Sequence, residues 1–264
     1  MIHYHGGPIT PITAAMRVWR GRHAFVSFAA PDQIGIATEV CQSVALDNGA
    51  FSVWKAGKTV DWNLYYDWVD KWKWHPCVDF ALIPDVIVGT EDDNDCLISE
   101  WPHGPLGVPV WHLHETVERL ERLSLEWPRI AIGSSGDFAV IGTQRWRKRM
   151  SEEMAAICDL RGRPQCKIHG LRMLDPQIVQ AFPFSSADST NVARNIGIDS
   201  RWTGAYMPAS KETRAIVIAE RIEQYNSPAL WRPVPIQNEL FGVAKVGLAT
   251  AKATPKGMFN SFGF

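Results

Sequence analysis

Three aspartates, each placed where an apolar run gives way to a turn, are the residues of this chain best suited to chemistry. They lie in Ser43-Val44-Ala45-Leu46-Asp47-Asn48-Gly49, in Ala81-Leu82-Ile83-Pro84-Asp85 and in Phe184-Ser185-Ser186-Ala187-Asp188-Ser189-Thr190. Carboxylates that converge could run a glycosyl transfer by double displacement. One attacks the anomeric carbon, and a second group moves the proton of the departing and arriving base. Asp188 is the expected nucleophile, because the hydroxyls of Ser185, Ser186, Ser189 and Thr190 can orient it without neutralising it. Asp47, followed by the tight-turn pair Asn48-Gly49, is the expected acid/base partner. Asp85 suits a guanine-like base edge, whose N1–H and exocyclic amine form a donor pair that a carboxylate matches. The competing structural reading of each aspartate is a helix N-cap or an Asx-turn residue.

The elements that must bring these residues together are short apolar or β-branched runs at about 2–5, 24–28, 43–46, 80–84, 109–113, 129–132, 166–171 and 182–186. Most are separated by polar stretches of helical period. Trp62, Tyr65, Tyr66, Val69 and Trp72 recur three or four apart, as do Val117, Leu120, Leu123 and Trp127, and 144–160 is long and charged. Continuous apolar runs fit strands covered on both faces, and the 3.6-residue stripe fits surface helices. Eight such units predict a (β/α)₈ barrel over residues 1–226, closed by a helix from about 209 to 224. The first helix is expected to be irregular, since its connection, 8–21, is short and proline-rich. Residues 227–264 read as an extension packed on the barrel and ending in a mobile tail. In such a barrel the carboxyl ends of the strands form the catalytic face. Asp47, Asp85, His112, Gly133-Ser134-Ser135, His169-Gly170 and Asp188 all fall there, which makes Asp85, His112, Gly133, Ser134, His169 and Gly170 the expected substrate contacts.

Composition narrows the class. The 264 residues are 46% hydrophobic, enough for one large core, and the net charge of −1 supplies no global attraction for a polyanion. Nucleic acid would have to find a local basic patch. Five cysteines with no C-x-x-C pair predict reduced thiols. The N-terminus lacks a basic start and an apolar stretch, and no run approaches the roughly 18 apolar residues of a membrane span. These features predict a cytoplasmic protein with no membrane partner. Most of the 12 tryptophans read as packing residues, with some free to stack on bases.

Several of these segments, in order, resemble the tRNA-guanine transglycosylases, and more closely their DNA-acting relatives. Asp47-Asn48-Gly49-Ala50-Phe51-Ser52 is similar to the family's Asp-Ser-Gly-Gly-Phe-Gln, whose aspartate contacts the base and serves in proton transfer. Ala131-Ile132-Gly133-Ser134-Ser135-Gly136 resembles the segment that offers backbone groups to the base. Ile168-His169-Gly170-Leu171 with Asp175-Pro176 is similar to the Leu-Met-Gly-Val strand and its following turn. Asp188 with Thr190 and Ala193-Arg194-Asn195 falls where the nucleophilic aspartate precedes Pro-Thr-Arg-x-Ala-Arg-Asn. An ungapped count back from Ala193-Arg194-Asn195 places Ser185 at the nucleophile position instead, and chemistry favours Asp188. The bacterial tRNA-acting members carry a Cys-x-Cys-x-x-Cys plus His zinc site after the nucleophile, and this chain has no cysteine beyond Cys166. The resemblance therefore implies an enzyme that exchanges guanine in DNA for a 7-deazaguanine such as 7-cyano-7-deazaguanine. No cofactor or metal is required. DNA-acting members occur in bacteriophages and in bacterial modification clusters, so a phage-encoded chain would work in the host cytoplasm. Transfer to tRNA remains an alternative.

Two further features carry their own readings. The basic run Arg145-Trp146-Arg147-Lys148-Arg149, with Arg194, could contact phosphates, or be a solvated helix face. Lys71-Trp72-Lys73-Trp74 is a similar, weaker case. His3 and His5, two apart on one strand face, would suit a metal-dependent barrel hydrolase together with His112 and Asp188. The sixth strand, however, ends in Gly133-Ser134-Ser135 and offers no histidine for it. A DNA-binding accessory protein without catalysis is the non-enzymatic alternative.

Overall fold

The computed structural model describes residues 1–197, 202 and 206–233. The strands are β1 (Ile2–Gly6), β2 (His23–Ser27), β3 (Ser43–Asp47), β4 (Val78–Leu82), β5 (Gly107–Val108), β6 (Val110–His112), β7 (Arg129–Gly133), β8 (Lys167–Gly170) and β9 (Ser186–Ser189). They form one parallel sheet in the order β5-β4-β3-β2-β1-β9-β8-β7-β6. Its two edge strands are neighbours in the chain, one residue apart at Pro109. The Pro109 carbonyl accepts from Ala131 N–H at 2.9 Å, and Val108 O accepts from Ile83 N–H at 2.9 Å. The sheet is thereby curled until it nearly closes into a barrel.

The period-2 alternation of a strand sorts side chains between the inside of the curl and the surrounding helices. Tyr4, Phe25, Ala45, Phe80, Leu82, Val108, Val110 and Ala131 fill the interior. Their strand neighbours Ala24, Val26, Val44 and Leu46 pack outward among Trp19, Tyr65 and Val69. On the other side Trp111, Ile130, Ile132 and Ile168 pack against Leu120, Leu123, Met150 and Met154. Burying a large apolar side chain of this kind is worth about 1.5–3 kcal/mol. Inward parity carried to the ends of the strands places Gly6, Ser27, Asp47, His112 and Gly133, each the last residue of its strand, and Asp188, the last but one of β9, at one end of the barrel. On β4 the pairing slips, Val44 facing Val78 and Ala45 facing Phe80. The extra residue, Asp79, is thus turned to Tyr4 Oη at 2.7 Å and Arg129 at 2.8 Å.

The helices are α1 (Ile12–Trp19), α2 (Ile34–Val40), α3 (Ala50–Lys55), α4 (Trp62–Trp72), α5 (Glu91–Ser99), α6 (Val117–Glu126), α7 (Gln144–Ile157), α8 (Pro176–Val179), α9 (Asn191–Asn195) and α10 (Lys211–Glu223). The expected stripes at 62–72, 117–127 and 144–160 are α4, α6 and α7. The closing helix is α10, capped by the Ser210 hydroxyl on Thr213 N–H.

Two expectations are corrected. The first helix is regular, because Pro11 stands at its N-cap, where no amide proton is required. The eighth strand is 186–189, not 182–186. Phe182 and Phe184 instead bury in the outer core beside Trp146, and Pro183 between them cannot donate to a ladder. Asp188 therefore lies within the strand.

Met1–Trp231 forms one compact unit. Trp231 N–H donates to Gly162 O at 2.7 Å, so the expected extension begins on the barrel. The expected tail, 234–264, lies outside the described residues. None of the described helices is long and apolar enough to cross a membrane.

Candidate functional site

At the carboxyl ends of the strands a cavity of about 460 Å³ opens, and Asp47, Asp85, His112, Gly133, Ser134, Asp188 and Arg194 all line it. Three carboxylates from β3, from the loop after β4 and from β9 thus meet in one place. None caps the helix that follows. Those caps are Gly49, Thr90 and Thr190, so the N-cap reading does not describe these aspartates.

Asp47 ends β3. Burial is the main cause that pushes its carboxyl up to about 7, and the charges of Asp188 and Asp85 add to it. Hydrogen bonds from the Ser27 hydroxyl and the Gly49 amide act the other way. Gly49 is required for that turn. Its φ is +77°, and a Cβ there would stand 2.9 Å from Ala29 N.

Asp85 is buried and held on both oxygens. Asn48 Nδ2 donates to Oδ1 at 2.7 Å, and His112 Nε2 is 2.9 Å from Oδ2. Asn48 also donates to Ile83 O and accepts from Ala50 N–H, so it ties the end of β3 to the loop after β4. His112 is fixed from behind. Its backbone N–H donates to buried Glu115 at 2.9 Å, which also takes hydrogen bonds from Arg119 and Asn94. Gly133 makes room for the imidazole, since a Cβ there would lie 2.8 Å from His112 Nδ1.

Asp188 is buried and accepts from the backbone N–H of Arg172 at 2.8 Å on Oδ1. Its own carbonyl accepts from Leu174 N–H, so the turn after β8 is stapled to it twice. Arg172 has φ +59°, which an L-residue other than glycine seldom adopts. Its guanidinium lies 4.0 Å from the ring centre of Phe51 and donates to Ser134 O at 2.8 Å. Burial lowers its pKa and the Asp188 charge opposes that shift. Arg172, Phe51 and Lys55 line the cavity and were not singled out as contacts from sequence. Arg172 immediately follows the quoted Ile168-His169-Gly170-Leu171 segment. A cation two residues past the end of β8 was the available signal.

Two expected contacts are placed elsewhere. His169 is fully buried beneath the cavity, in van der Waals range of Tyr4, Phe25 and Phe80, with Nδ1 2.8 Å from Ser186 Oγ. Its Nε2 is 3.5 Å from Asp188 Oδ1, so it supports that carboxylate from below. Gly170 has the opposite parity and faces Met173 and Phe184. Ser185 gives its hydroxyl to Ile168 O and lines a separate surface cleft with Met1 and Lys167. Asp188, not Ser185, borders the cavity.

The basic run lies on α7, and its cations have partners within the chain. Arg145 pairs with Asp137, Arg147 donates to Gly142 O, and Lys148 stands 3.8 Å from Glu152. Arg149 donates to Leu113 O and Glu115 O and lies 2.9 Å from Glu153, whose carboxyl burial raises to about 9. His3 and His5 share a face, but it is the outer one. His3 Nε2 meets Tyr225 O at 2.7 Å, and His5 Nε2 meets Glu223 at 2.8 Å. Among the described residues no group of three or more His, Cys, Asp or Glu is placed to hold a metal ion.

Comparison with protein-family models, curated proteins and solved structures finds no match to this chain.

Proposed function

We propose that this protein is a base-exchanging DNA glycosyltransferase on a (β/α)₈ barrel, β5 and β6 being one strand interrupted at Pro109. The observation that carries the reading is the unequal pair Asp47 and Asp188 on one cavity. Asp188 accepts the backbone N–H of Arg172 and has His169 Nε2 3.5 Å from the same oxygen, while burial raises the Asp47 carboxyl to about 7. Two carboxyl groups whose environments differ in this way suit nucleophile and acid/base roles.

In the first step Asp188 attacks C1′ of a guanosine nucleotide drawn out of its stack, because the glycosidic bond is out of reach within a duplex. The C1′–N9 bond breaks, its electron pair goes to the ring nitrogen, and Asp47 supplies the proton with which guanine leaves. In the second step a 7-deazaguanine gives its N9 proton to Asp47. Its N9 attacks C1′, and the aspartyl ester is released as carboxylate. Protons and charge balance over the cycle, and no energy source is required. Asp85, held by Asn48 and His112, keeps lone pairs for the N1–H and amine of the base. Gly133 and Ser134 bound the same space.

The acceptor is assigned to DNA rather than tRNA because no cysteine follows Cys166 to build the zinc-centred tRNA-docking region of the resembled family. The test is incubation with labelled 7-cyano-7-deazaguanine and either duplex DNA or tRNA, followed by nucleoside analysis. Label in DNA and not in tRNA is expected. Label in tRNA alone overturns the assignment.

A further inference from the structure

We propose that the lip formed by α3 and the loop after β4, not the basic run on α7, holds the nucleotides that flank the target base. This inference rests on the reading of the cavity as a nucleotide site. Trp54 is 49% exposed on α3 and lies 5.7 Å from Phe51, which lines the cavity. Val86 and Val88 are exposed on either side of Ile87, which lines it too. Apolar surface is thus presented to water beside a cavity that holds three carboxyl groups, Asp47, Asp85 and Asp188. Lys55 and Arg194 border the same mouth, exposed, and neither side chain has an ion-pair partner among the described residues. By contrast, four cations of α7 are spent within the chain.

A ligand for this lip must offer flat apolar faces and negative charge at short intervals, next to a moiety that enters the cavity. A nucleic-acid strand does so. Its bases stack on aromatic rings and its phosphates take cations. When a nucleotide is drawn into the cavity, its neighbours lose a stacking partner at the point where Trp54 stands. An indole there replaces the lost stack, and Lys55 and Arg194 meet the phosphates on either side. A local patch of this kind also fits a chain with net charge −1.

The test uses the full chain and a fluorescein-labelled DNA 15-mer with one guanine, single-stranded and as a duplex, read by anisotropy across a salt series. Trp54→Ala should weaken binding about tenfold, the range of one base–aromatic stack. Lys55→Ala should lower the salt slope by about one. Lys148→Ala on α7 should change neither. All three positions are exposed, and unchanged thermal melting separates a contact from a folding defect. The inference is overturned if Lys148→Ala weakens binding while Trp54→Ala does not, or if the wild type binds neither DNA form. Calorimetric titration with free guanine isolates the cavity reading. Guanine bound without DNA overturns the lip alone. DNA bound through Trp54 without guanine upholds the lip and removes base exchange. An RNA 15-mer of the same sequence reports whether the lip discriminates sugar; RNA bound in place of DNA overturns the DNA assignment of the lip.

Discussion

The backbone N–H of Arg172 donates to Asp188 Oδ1 at 2.8 Å while the guanidinium of the same residue lies 4.0 Å from the centre of the Phe51 ring. One residue thereby links the expected nucleophile to the helix that follows the expected acid/base group. Its φ of +59° aims the amide at Asp188. Left-handed backbone costs an ordinary residue about 1–2 kcal/mol, so the contacts at both ends must hold it.

Glycine and alanine at position 172 isolate the backbone strain. Both variants keep the amide and lose the stack on Phe51, but Arg172→Gly relieves the left-handed backbone whereas Arg172→Ala keeps its strain. Denaturant unfolding should find the alanine variant less stable than the glycine variant by about 1 kcal/mol. Equal stability would show that the turn relaxes freely.

Asp47 predicts a dependence on pH with a definite sign. Its carboxyl keeps a proton to about pH 7 in the fold, against an ordinary value of 3.8. Between these limits the folded chain binds more protons than the unfolded chain, so stability falls as pH rises. The contribution is full below about pH 4 and lost above about pH 7. Asn at this position never ionises. The gain in Tm of Asp47→Asn over wild type should therefore be larger at pH 8 than at pH 5. A gain that is the same at both pH values would contradict a raised carboxyl.

Asp85 and His112 should behave as a coupled pair. Asp85→Asn turns an amide donor toward either Asn48 Nδ2 or His112 Nε2, and an unpaired buried donor costs about 1–3 kcal/mol. A double-mutant cycle of Asp85→Asn with His112→Ala should show non-additivity of about 0.5–3 kcal/mol. Base binding should also fall more for guanine than for adenine. Additive effects with uniform loss across bases would leave Asp85 a structural residue only.

Gly133→Ala tests the space reserved for His112. The new Cβ would meet Nδ1 at 2.8 Å, and displacing a packed ring costs about 1–3 kcal/mol. A lower Tm with weakened guanine binding is expected. An unchanged protein would mean that the imidazole moves without consequence.

Much of this arrangement was legible in the sequence, for physical reasons. Buried parallel strands write themselves as apolar runs, so Val44-Ala45-Leu46 and Ile130-Ala131-Ile132 announced β3 and β7 and fixed where Asp47 and Gly133 would end. The eighth strand is not marked by an apolar run, because its inward positions, Ser186 and Asp188, are polar and serve His169 and the cavity. The apolar Phe182 and Phe184 nearby belong to the helix layer. His169 and Gly170 looked alike from sequence, yet alternation sends one under the cavity and the other away from it. Arg172 is not legible as a site residue, because nothing in its neighbours signals a left-handed turn that brings its amide to a residue 16 positions later.

The most direct measurement is the fate of the protein–DNA bond during turnover. Denaturing the wild type in the presence of DNA and 7-cyano-7-deazaguanine, then mapping cross-linked peptides by mass, should find the sugar on Asp188. Asp188→Ala should retain the fold, form no adduct and release no guanine, while Ser185→Ala should retain appreciable turnover. An adduct that survives in Asp188→Ala, or base exchange that proceeds in it, would contradict the account.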